Sequence, residues 1–161
     1  MAKYARDLDE TLVQKVKSLS NQFGLKEQGV KIEAVRLKKG KTYGEVLKPN
    51  DLVKLFTGEE NVVAVALYEE LFDQCDEQTQ DVLIENLLGQ IYATTDKDDK
   101  LKIKIEKPQL NVELSVYHRY GNIATQKLEA AILILDQLAE QEKQQRELNK
   151  GTRGKKKQQA E

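Results

Sequence analysis

A chain of 161 residues with 33% charged side chains, 39% apolar ones and a net charge of −1 is long enough to bury one good core and is no polyanion binder as a whole. A single cysteine excludes an intramolecular disulfide framework, and the lack of any apolar run of membrane length or secretory leader predicts a cytoplasmic protein.

Asp7 to Phe23 reads as a helix. Leu8, Leu12, Val16, Leu19 and Phe23 fall on one stripe, Asp7 or Asp9 caps the start, and Gly24 stands where a C′ residue belongs. Val30 to Leu37 alternates as a strand, with Ile32 and Ala34 on one face and Lys31, Glu33 and Val35 on the other. Lys38-Lys39-Gly40-Lys41 then makes a basic turn, and Thr42 to Leu47 returns as a second strand. That turn is either a solvated hairpin tip or a contact for phosphate or an acidic partner. A short helix or turn is expected over Asp51 to Phe56, ended by Gly58.

Val62 to Leu67 is apolar throughout and too short for a membrane, so it suits a strand covered on both faces near the centre of a sheet. A short helix from about Glu69 to Gln74 follows. Cys75 lies just after Leu71 and Phe72 with no His, Lys or Arg beside it, which favours a half-buried structural thiol over a nucleophile. Asp76 to Ile91 reads as an amphipathic helix with Asp76 as N-cap and Val82, Leu83, Leu87 and Ile91 on its apolar face. Asn86 and Gln90 stand four apart beside that face, so both amides should point inward. A zinc peptidase carries its two histidines in this way. Here neither position is His.

Thr94 to Lys100 is a polar turn that lacks the spacing and terminal glutamate of an EF-hand. Leu101 to Ile105 alternates Leu, Lys, Ile, Lys, Ile and predicts a strand with one wet, basic face, broken by Pro108. His118, the lone histidine, lies in Tyr117-His118-Arg119-Tyr120, a recognition patch or the start of the last helix with one tyrosine in the core. That helix should run from about Asn122 to Leu148. Its Ala130 to Leu135 stretch is apolar almost all round and so invites either coverage by the domain or a homodimer. From Gln141 to Glu161 seven Lys/Arg oppose three Asp/Glu. This predicts a domain over 1–140 and a polar basic tail over 141–161, with the helix ending and disorder following. Lys155-Lys156-Lys157 offers weak, salt-sensitive nucleic-acid contact or simply solubilises the terminus.

From Gly58 on, GEENVVAVALYEELFDQCDEQTQDVLIENLLGQI resembles the zincin-like metallopeptidases of phages and related mobile elements. These show a strand of the ADFIIVI kind, a short helix, a D-x-L-(S/D)-E-E-Q turn, and a helix bearing H-E-L-x-H-I. NVVAVAL matches the strand, DQCDEQT the turn, and Asn86-Leu87-Leu88-Gly89-Gln90-Ile91 the motif; HRYGNIATQKLEAAI is similar to an RYG segment that opens the family's last helix. The similarity covers roughly Val30 to Leu138. It implies a zincin-like α+β fold with a small mixed or antiparallel sheet of about four strands, packed by helices, and a bacterial or phage setting.

The departures decide the expected function. Asn86 and Gln90 replace the zinc ligands, Leu87 replaces the catalytic glutamate, and Glu106-Lys107-Pro108-Gln109-Leu110-Asn111, where a third ligand is expected, has no histidine. Neutral amides are poor zinc ligands and leucine accepts no proton. The first expectation is therefore a pseudoenzyme with no metal, cofactor or catalytic residue, acting as a binding or regulatory module on a protein partner. Two others stand beside it: a metal-dependent hydrolase with a relocated site of His118 with Glu85, Glu106 or Glu113, and a nucleic-acid accessory protein working through its tail.

Overall fold

The computed structural model of the chain describes residues 3–38, 42–47, 62–106 and 114–159. The turn expected at Lys39 to Lys41, the helix expected over Asp51 to Phe56, and Glu113 lie outside them. The described elements run β1 (Tyr4–Ala5), α1 (Glu10–Gln22), β2 (Lys31–Leu37), β3 (Gly44–Leu47), β4 (Val62–Leu67), α2 (Glu69–Asp73), α3 (Glu77–Leu88), β5 (Ile91–Thr95), β6 (Leu101–Ile105), α4 (Leu114–Tyr120) and α5 (Asn122–Gln159). The fold is α+β, with a four-stranded mixed sheet, a separate β5–β6 hairpin and a long last helix.

The sheet order is β1-β2-β4-β3, so the wholly apolar β4 is an inner strand, as its composition requires. It pairs in parallel with β2, from Lys31 opposite Val62 to Arg36 opposite Leu67, and antiparallel with β3. The strands β2 and β3, expected to pair as a hairpin around the basic turn, do not pair: β4 inserts between them. Its uninterrupted apolar run needs a neighbour on each side, whereas β3 contributes only four residues and tolerates the sheet edge.

Period-two alternation divides the core. Ile32, Val63, Val65 and Leu67 face α1 and α3, meeting Leu12, Val16, Leu19, Leu83 and Leu87. Val35, Leu37, Val62, Ala64 and Ala66 form the other face, against which Ile134, Leu135 and Leu138 of α5 pack. Helix α1 begins at its Asp9 cap, whose carboxylate accepts from the Thr11 N–H, and stops before Gly24, whose φ of +67° is the left-handed conformation a helix terminus favours.

Two element ends differ from the sequence reading. The motif helix stops at Leu88; Gly89 and Gln90 turn, and Ile91 opens β5. Glycine weakens the helix there, and Ile-Tyr-Ala-Thr-Thr is β-favouring sequence with a matching partner in Leu101 to Ile105. Helix α5 runs on through Gln159, past Leu148 and into the segment expected to become a disordered tail, for a length of roughly 57 Å. From Ala139 to Gly151 its side chains are exposed all round, with Arg146 and Glu142 paired one turn apart at 3.9 Å. No described helix is long and apolar enough to cross a membrane.

Candidate functional site around the end of helix α3

Helix α3 is buried along most of its length, from Val82 to Leu88 without interruption. Its start is fixed by Asp76, whose Oδ1 accepts from the Thr79 N–H at 2.7 Å while Oδ2 meets Lys127 Nζ of α5 at 2.8 Å. Lys127 above all, then Thr79, hold the Asp76 carboxyl well below the usual carboxylate range. Because the folded state lowers this pKa, its contribution is present above the unfolded value of about 4 and is lost as pH falls below it. Asp76→Ala is expected to cost about 1 kcal/mol at pH 7, measured by urea unfolding. The difference from wild type should shrink on acidification below pH 4. A difference that does not change with pH would refute the assignment.

At the other end of α3, both amides are buried: Asn86 is 1% exposed and Gln90 9%. Asn86 Nδ2 donates to the Tyr43 hydroxyl at 2.6 Å, and Gln90 Nε2 donates to the Asn86 backbone carbonyl at 3.4 Å. Leu87, between them, is 2% exposed and lies under β3, where a Cβ on Gly44 would stand 2.6 Å from Leu87 Cδ1. The edge strand is thus drawn down onto the helix, and the tyrosine that precedes Gly44 reaches the amide. Tyr43 is a residue the sequence does not single out, since it lies 43 positions from Asn86.

One residue earlier, Glu85 is 1% exposed. Its Oε1 accepts from Arg119 Nη1 at 2.5 Å, while Oε2 is buried without a hydrogen-bond partner. Arg119 also donates to Gln22 Oε1 at 2.6 Å, so it ties α4 to both α3 and α1. Burial, followed by the neighbouring Glu85 carboxylate, pushes the Tyr120 hydroxyl up to about 12. Of the Tyr117 to Tyr120 patch, Tyr117, His118 and Arg119 are exposed and Tyr120 is turned inward against the core.

The other candidates are not drawn together. His118 is exposed on α4, Glu85 is committed to Arg119, and Glu106 pairs with Lys104 at 2.7 Å on the hairpin. Among the described residues no three His, Cys, Asp or Glu side chains are grouped as metal ligands. Burial, then Asp76, push the half-buried Cys75 thiol up, away from thiolate chemistry. Lys155 to Lys157 lie on α5. On the same helix Ala131 is buried and Ile134 and Leu135 are half-buried, whereas Ala130, Ile132 and Leu133 stay exposed.

The buried helix α3 thus lies beneath a mixed sheet, with Asn86 bonded to Tyr43 beside the edge strand and Gln90 bonded to backbone. Residues 2–133 match the model of the family described as "Putative phage metallopeptidase", and the chain belongs to that family. No curated protein and no solved structure matches it. Asn86, Leu87 and Gln90 do not fit the metal that the family name implies: two are neutral amides, one is a leucine, and Gln90 lies beyond the last helical residue.

Proposed function

We propose that this phage metallopeptidase-like protein is catalytically inert and serves as a binding module. The observation that carries this reading is the Asn86 to Tyr43 hydrogen bond above a buried Leu87. The positions that resemble a metal-gripping motif hold a bond between two neutral side chains and an apolar contact. Neither supplies a negative or strongly donating ligand, and Leu87 cannot take a proton from a bound water. The remaining buried amide, Gln90, is directed to backbone. Ile132 and Leu133 of α5 are available to a protein partner, a second copy of the chain included.

Elemental analysis of protein purified without chelator tests the inert reading. Zinc is expected far below one equivalent per chain, and peptidase activity on unfolded casein at background with or without added zinc. Stoichiometric zinc, or zinc-dependent cleavage abolished by Asn86→Ala, would overturn it.

A further inference from the structure

An open cavity of about 520 Å³ lies between the C-terminal half of α1 and the start of β2. We propose that it is a binding site for a small polyphosphate-bearing ligand, a nucleotide or a free polyphosphate, held by Lys17, Lys26 and Lys31. The sequence builds it from local geometry. Lys17 and Asn21 lie one turn apart on α1 and so share a face. Lys26 stands in the turn after the helix, Lys31 opens β2, and Gly29, at φ +90°, forms part of the wall between them.

Charge points to the ligand. Three lysines are among the lining residues against a single acidic one, Glu33, which meets Lys31 at 3.8 Å. This excess occurs in a chain whose net charge is −1. Four described lysines outside the cavity are compensated: Lys3 pairs with Glu45, Lys15 with Asp81, Lys104 with Glu106 and Lys127 with Asp76. The ammonium groups of Lys17 and Lys26 have no ion-pair or hydrogen-bond partner among the described residues. Ammonium groups are compact point charges, suited to tetrahedral phosphate rather than to the planar, two-pronged carboxylate that guanidinium matches. A concavity of this volume is in the range that holds one small molecule.

The site is separate from the Asn86 position. Tyr43 sits beside Tyr68 at the C-terminal end of β4, whereas Lys31 pairs with Val62 at its beginning, so five or six strand residues, about 15–20 Å, lie between them.

Calorimetric titration of the full chain with sodium tripolyphosphate, and separately with ATP, tests the proposal. At about 1 mM probe both should bind. The double variant Lys17→Gln/Lys26→Gln should weaken both by at least roughly tenfold. Lys143→Gln/Lys150→Gln, on the exposed part of α5, should leave binding unchanged. Tighter binding of ATP than of tripolyphosphate assigns a nucleotide; equal binding assigns a free polyphosphate. Either result supports the site. No heat from either probe overturns it. So does equal affinity in Lys17→Gln/Lys26→Gln and wild type, or a loss confined to the α5 variant. Circular dichroism of both variants, altered only at exposed positions, should match wild type.

Discussion

Gly44→Val is expected to destabilise the protein by about 3 kcal/mol or more, and Gly44→Ala by roughly 1–3 kcal/mol. Even the first added carbon has nowhere to go. A Cβ at this position would stand 2.6 Å from Leu87 Cδ1 and 2.7 Å from the Ala66 carbonyl oxygen. The leucine is fully packed, and the carbonyl belongs to the inner strand β4, which is held on both sides by β2 and β3. The edge strand must therefore move outward, and Tyr43 moves with it. At about 2–4 °C per kcal/mol for a chain of this size, the valine variant should melt roughly 6–12 °C lower, by scanning calorimetry. Tyr43→Phe separates the contact from the bond. It removes only the hydroxyl that accepts from Asn86, with an expected loss of about 1 kcal/mol. If Gly44→Val melted within 2 °C of wild type, the close seating of β3 on α3, and with it the closed Asn86 position, would be wrong.

That seating marks the limit of what the sequence discloses. Periodicity located α1, β2, β4, β6 and most of α3, because each carries an uninterrupted apolar pattern of one period. The inner place of β4 was legible for the same reason: six apolar residues in succession need cover on both faces. Burial of Asn86 and Gln90 followed from their position beside the apolar stripe. The pairing of β3 with β4 instead of β2 was not legible, since adjacency in sequence favours a hairpin and nothing local reports a later strand inserting between the two. The hairpin strand β5 was missed because Ile91 continues the helical spacing of Val82, Leu83 and Leu87 while Thr94 and Thr95 read as part of the polar turn that follows. Tyr43 and the Lys17, Lys26, Lys31 cavity depend on contacts between separate elements. Glu85 entered the sequence reading as one possible partner of His118; only the packing of α3 and α4 around it shows that it is buried and paired with Arg119.

The burial of Glu85 sets the other large effect. Removing the charge partner, as in Arg119→Met, leaves a carboxylate that is 1% exposed facing the interior with Oε2 already unpartnered. Breaking a fully buried pair in this way costs about 3–5 kcal/mol. The Arg119 side chain is 51% exposed, so water screens the pair and can approach the vacated position, which reduces the expected loss to about 2 kcal/mol. The same substitution also removes the bond to Gln22, so α4 loses its tie to α1. A double-mutant cycle with Glu85→Met separates the terms. If the stranded charge dominates, the double variant should be more stable than Arg119→Met alone by about 1–2 kcal/mol, because an apolar side chain of similar volume belongs in that position. If loss of the link to α1 dominates, the double variant will be no better than the single one. Urea unfolding at pH 7 distinguishes the two, and an Arg119→Met variant within about 0.5 kcal/mol of wild type would show that Glu85 does not depend on the arginine at all.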